Sequence, residues 1–122
     1  MKNSINLGKL TDIALGNSKG YRYFSLTKDD IFVIRKGHRS VVSYANSCPH
    51  KGYESTSMAW KKDSYLDGEK RFIRCASHGA LFRIDDGVCV QGPCAGARLT
   101  AQHCWLNSQD DMIWQPQPLS EA

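Results

Sequence analysis

The chain has 122 residues, 41% of them hydrophobic and 23% charged, with a net charge of +4. That suits one domain with a single buried core, and no apolar run is long enough to cross a bilayer. Its lysines and arginines are scattered apart from short clusters at Lys61-Lys62 and Arg71 to Arg74, so no dense basic stripe with interleaved aromatics marks a nucleic-acid surface.

The opening MKNSINLGKL has one early lysine but no apolar core and no small-residue cleavage site. It does not read as a secretion signal, so the cytoplasm is the expected compartment, and Met1 to Thr11 reads as an arm. Three strands come next, at Gly20 to Leu26, Asp30 to Gly37 and Arg39 to Asn46, rich in β-branched and aromatic residues. They are broken by Thr27-Lys28-Asp29 and by the corner Lys36-Gly37-His38. Lys51 to Lys70 and the loop Gln91 to Ala97 fit no strand, and the first of them has room for a short turn around Ser55 to Trp60. Between them lie short strands in RFIRCA, ALFRI and GVCV, the last two joined by the hairpin dipeptide Asp86-Gly87. LTAQHCWLNS and DMIWQP flank a further turn, and Pro116 to Ala122 reads as a loose polar tail. No amphipathic helix emerges, and the chain reads as all-β, a small antiparallel sandwich or barrel.

The five cysteines take their meaning from the compartment. A reducing environment favours metal ligation or inert burial over disulfides, and an odd count leaves one unpaired. Two Cys/His pairs stand out: Cys48 and His50 in SCPHKG, Cys75 and His78 in RCASHG, each in a glycine-containing loop at a strand end. A thiolate and a neutral imidazole are natural ligands for zinc, iron or copper, and four such groups can close a tetrahedral or a two-metal site. The single-residue gap in Cys48-Pro49-His50 is tight for both side chains to reach one tetrahedral ion. A two-iron, two-sulfide rhomb suits it better, with each pair sending its cysteine to one iron and its histidine to the other. Zinc in a binding module stays the alternative.

CPHKG followed by CASHGALF resembles the Rieske signature, C-x-H-x-G then C-x-x-H-G. FRIDDGVCVQGPCAGARL is similar to the strand, turn and proline-loop sequence after that family's second ligand pair, and the likeness covers roughly Tyr44 to Leu99. The resemblance implies a Rieske-like fold with a cluster-binding part at about residues 45–98, two loops plus a proline loop, inside a single domain over residues 1–122. It implies a 2Fe-2S cluster held by Cys48, His50, Cys75 and His78, the cysteines on the inner iron and the histidines on the outer. Gly52 and Gly79 would let the loops turn, and Gly92-Pro93-Cys94 would cover the cluster.

Departures from the family's pattern refine the resemblance. The gap between the pairs is longer than the commonest family spacing, which implies an extra loop near the cluster over Met58 to Gly68, with Trp60 packing beneath it. Tyr53 and Ser77 stand where high-potential relatives carry a disulfide, and Ala80 and Phe82 where those relatives carry hydroxyl donors. The chain therefore resembles the low-potential, ferredoxin-like branch. Cys94 reads as an inert packed thiol, Cys89 and Cys104 as core, His103 as solvent-facing and His38 as a hairpin tip. Lys51, beside His50, is a candidate docking charge.

No nucleophile with its base, phosphate-cradling loop or flavin or nicotinamide fingerprint is present. The expected function is electron transfer rather than catalysis: one electron carried between a reductase and a terminal oxidoreductase, an oxygenase by resemblance, with neither nucleic acid nor membrane as partner. The other reading is a small Rieske-like subunit of a larger enzyme such as nitrite reductase. Many of those lack the ligands, whereas this chain keeps all four.

Overall fold

In the computed structural model the described residues are 4–49, 57–59, 61–76, 79–92 and 94–116. They form nine strands: β1 (Ile5–Lys9), β2 (Ser18–Tyr21), β3 (Ile31–Gly37), β4 (Ser40–Ala45), β5 (Phe72–Arg74), β6 (Leu81–Arg83), β7 (Cys89–Gln91), β8 (His103–Leu106) and β9 (Asp111–Gln115). Their order is β1-β9-β8, β2-β3-β4 and β5-β6-β7 in three antiparallel sheets. The only helical piece among the described residues is the three-residue turn Leu10–Asp12.

β3 organises the packing. Its IFVI run is buried at every position, the pattern of a strand covered on both faces. Phe32 and Ile34 enter one core with Tyr44, Ile73, Phe82 and Leu99. Ile31 and Val33, pointing the other way, enter a second core with Leu7, Tyr21, Met112 and Trp114. Strand alternation thus builds two apolar layers from one sheet.

Two expectations at the amino-terminal end need correction. Ile5–Lys9 is no arm: it pairs with β9, Ile5 opposite Trp114 and Lys9 opposite Asp111, with a bulge between Asn6 and Gly8. The segment was hard to read because it buries one residue, Leu7, and its partner lies at the far end of the chain. The strand expected over Gly20 to Leu26 stops at Tyr21. The Asp30 carboxylate accepts backbone hydrogen bonds from Tyr23, Phe24 and Ser25 at 2.6, 2.8 and 3.1 Å, which folds the chain into a turn rather than a ladder. Phe24 and Leu26 are left 65% and 93% exposed, so these apolar residues face out. Phe24 meets the Trp114 ring edge-on at 6.0 Å.

The remaining strands agree with the sequence pattern. His38 sits in the exposed β3–β4 turn, and His103 is exposed on β8 against Trp105. Cys104, expected in the core, is only partly buried at the edge of the second core. The short turn suggested around Ser55 to Trp60 falls mostly outside the described residues, as does the tail beyond Pro116.

Candidate metal centre

The two candidate loops leave different sheets and bring their cysteines into one core. β4 ends at Ala45, and Cys48 comes three residues later; β5 ends at Arg74, and Cys75 is the next residue. Both cysteines are 0% exposed and share the first core. His50 and His78 lie outside the described residues, as do Lys51, Gly52, Tyr53, Trp60, Ser77 and Pro93. Among the described residues no three ligating side chains come together.

The loop after β5 is closed tightly. Gly79 N–H donates to the Cys75 carbonyl at 2.7 Å, and Cys75 N–H donates to the Ala80 carbonyl at 2.9 Å. Gly79 has φ +70, a left-handed conformation that glycine adopts without steric cost. This supplies the turn expected of it.

The third loop, between β7 and Leu99, folds onto the second. Gly96 N–H donates to the Cys89 carbonyl, and Cys89 N–H to the Ala97 carbonyl. Cys94 and Cys89 are both buried, with their sulfurs 3.1 Å apart. Burial foremost, then the Cys89 thiol beside it and Cys48 more weakly, push the Cys94 thiol up to about 12. It stays protonated at neutral pH, as an inert packed thiol should. No disulfide joins any of the five cysteines.

The described part of the long connection between the pairs reaches both the candidate site and β2: Met58 and Tyr65 share the core that holds Cys48 and Cys75, and Asp63 docks on β2. Ser18 Oγ donates to the Asp63 carbonyl at 2.7 Å, and Gly20 N–H donates to the Asp63 carboxylate at 2.8 Å. Tyr65 is buried, stacks on Phe32 with ring centroids 4.3 Å apart, and donates its hydroxyl to Asp29 at 2.8 Å. Ser18 and Gly20 offered no sign of this in the sequence, because the contact spans more than forty residues.

Sequence reasoning also missed Asn46. It is 1% exposed; its side chain donates to the Asp29 carbonyl and Ser57 Oγ at 3.0 and 3.1 Å and accepts from Met58 N–H at 2.7 Å. The Met58 carbonyl in turn accepts from Ala76 N–H at 2.8 Å. One buried amide two residues before Cys48 is thereby tied to the residue after Cys75. An asparagine closing a strand is an ordinary sequence signal for a turn, so nothing local disclosed this bridge.

Two thiols with no exposed surface in an apolar core fit a centre whose positive charge is cancelled by two thiolates, since uncompensated thiolates there would be costly. Fold and site together define a small antiparallel β domain with the two candidate loops set at strand ends. The family model described as the Rieske [2Fe-2S] domain matches residues 5–108, and the chain belongs to that family. The cofactor of such a domain is a Rieske-type 2Fe-2S cluster.

Solved structures agree on the fold. A chain from the complex of reduced oxygenase and oxidised ferredoxin in carbazole 1,9a-dioxygenase superposes with TM-score 0.70 at 16% identity, covering 97% of each chain. The ferredoxin of carbazole 1,9a-dioxygenase from Nocardioides aromaticivorans IC177 gives 0.66 at 18% identity, over 94% of this chain and 99% of that one. The E. coli protein NirD gives 0.65 at 13% identity, over 97% and 100%. No curated protein matches. No helix among the described residues is long and apolar enough to cross a membrane.

Proposed function

We propose that this chain is a Rieske-type electron carrier, a single domain over residues 1–122, whose 2Fe-2S cluster is held by Cys48 and Cys75 on one iron and His50 and His78 on the other. The observation that carries the assignment is the complete burial of Cys48 and Cys75 in one core, just after β4 and β5. When bound, such a cluster takes up and releases one electron. The protein's own part is to hold the two loops in register through Asn46 and Met58, and to shield the cysteine side with Ala80, Phe82 and Cys94.

The carrier reading, with an oxygenase and a reductase as partners in the cytoplasm, is supported by likeness in fold to the carbazole dioxygenase ferredoxin. A second reading, a small subunit within a larger enzyme, is favoured by comparable likeness in fold to a protein described as an NADH-dependent nitrite reductase small subunit from Mycobacterium tuberculosis. Copurification of the untagged chain from its native host separates them: a carrier elutes alone, a subunit with its larger partner.

The ligand assignment is tested by substitution. His50→Ala and Cys75→Ala should abolish visible absorption and the axial, low-average-g resonance of the reduced cluster, while His103→Ala and Cys104→Ala retain both. Loss confined to the second pair would refute the ligand set, and a colourless zinc-loaded wild type would refute the cluster.

A further inference from the structure

Among the described residues, the connection between the two ligand pairs borders a surface with an excess of positive charge. Lys61, Lys62, Lys70 and Arg74 are all exposed and line one groove of about 810 Å³. Lys61 and Lys62 also line a second groove of about 350 Å³, which Arg22 and Lys28 share. Among the described residues the ion pairs are Lys9–Asp111, Lys36–Asp85, Arg39–Asp110, Arg71–Glu69 and Arg83–Asp86. None of the six groove cations is in that set.

Three carboxylates also line the grooves, and each is engaged by the protein itself. Asp63 accepts from Gly20 N–H, Asp67 from Arg71 and Phe72 N–H, and Asp29 from the Tyr65 hydroxyl. They build the loop, and the cations outnumber them two to one. The surface is also close to the metal centre in the chain. Arg74 immediately precedes Cys75, and Met58, three residues before Lys61, hydrogen-bonds Ala76.

We propose that this lysine ridge and its two grooves form a docking surface for an acidic face of a redox partner protein. The proposal rests on the carrier reading for the partner's role, but its electrostatics do not depend on it. Cations spread over two open grooves match an extended acidic surface better than one compact anion, which could meet only a few of them at once. Nucleic acid is disfavoured because, among the described residues, no exposed aromatic ring lines either groove to stack a base. Charge of this kind steers encounter and orients the partner.

The test uses the purified full chain and fluorescein-labelled decaglutamate at low ionic strength, read by anisotropy. Wild type should bind, and Lys61→Glu/Lys62→Glu should weaken binding about tenfold or more. The effect should vanish near about 0.5 M salt, where screening is short-ranged. Lys36→Glu/Arg98→Glu, which changes net charge equally at cations lining neither groove, should leave binding within about twofold. Equal loss in both double variants would overturn the proposal by reducing it to net charge, and absence of binding in wild type would overturn it outright. Tighter, Lys61/Lys62-dependent binding of a thymidine decamer would assign the surface to nucleic acid instead. Visible absorption of the same samples judges the cluster separately, so a colourless protein that still binds decaglutamate would remove the carrier reading and leave the surface standing.

Discussion

Gly92 is pressed against Ala80: a methyl group built on Gly92 would stand 2.9 Å from both the Cα and the Cβ of Ala80. This contact joins the third loop to the residue that closes the Cys75 turn. Gly92 also has φ +114, a conformation that side-chain-bearing residues rarely adopt. Gly92→Ala is therefore expected to cost about 1–3 kcal/mol through overpacking and to speed cluster loss. Urea unfolding followed at the visible band checks it; an unchanged midpoint would show that the loop shifts without cost.

Asn46 offers a second test. Removing its side chain leaves the Met58 N–H without its buried acceptor and deletes two donated bonds, so Asn46→Ala should lose about 2–4 kcal/mol. Asn46→Asp keeps an acceptor for Met58 but buries a carboxylate against the Asp29 carbonyl, so it should cost at least as much as Asn46→Ala. Urea unfolding of both variants checks this, and midpoints unchanged from wild type would show that the amide contributes little.

Alkaline stability should depend on Tyr44. Its hydroxyl donates to the Ile84 carbonyl at 2.6 Å, and burial first, then Asp86 and Asp85, pushes it up to about 12. An unfolded-chain tyrosine ionises near about 10. Above that pH the unfolded chain gives up a proton the folded chain keeps, so stability present below about pH 10 is lost as pH rises toward about 12. Burial moves Tyr21 and Tyr65 upward too, so Tyr44→Phe should flatten the decline without abolishing it. Chemical denaturation at a series of pH values from about 9 to about 12, read by tryptophan fluorescence, gives both slopes; parallel slopes would rule out Tyr44.

The reduction potential turns on two buried side chains that lack donors. Ala80 and Phe82 are 0% exposed, and by the motif resemblance they stand where high-potential relatives are expected to carry hydroxyls. Without such bonds to stabilise the reduced state, the midpoint is expected toward the lower end of the Rieske range, about −150 mV. A hydroxyl favouring the reduced state by about 1–2 kcal/mol raises a one-electron potential by roughly 40–90 mV. Ala80→Ser and Phe82→Tyr should each do so. Protein-film voltammetry decides the matter, and a wild-type midpoint well above zero would contradict it.

Much of the architecture was readable where neighbours in sequence are neighbours in space. The β3–β4 hairpin and the β6–β7 hairpin come from apolar runs around short turns, and the Asp86-Gly87 turn lies where the dipeptide placed it. Chain ends and long connections were less readable. β1 reveals itself only through β9, and Tyr65 only through Phe32 and Asp29, because pairing across such distances leaves no local period. The run Tyr23-Phe24 looked like strand because its composition is strand-like; the Asp30 carboxylate, which captures its amides, overrode that preference. At the candidate metal centre, residue type and spacing singled out two cysteines that the structure buries in one core, whereas the amide that ties their loops together is visible only in three dimensions.

The two-sided burial of β3 has a thermodynamic consequence. Phe32 and Ile34 belong to the layer that holds Cys48 and Cys75, and Ile31 and Val33 to the layer closed by β1 and β9. Neither layer can come apart without exposing one face of the same four residues, so the domain should lose structure as one cooperative unit. The amide protons of β3 should then exchange with solvent only through global opening, and the metal-bearing half should inherit its lifetime from a pairing made between the first and last strands of the chain.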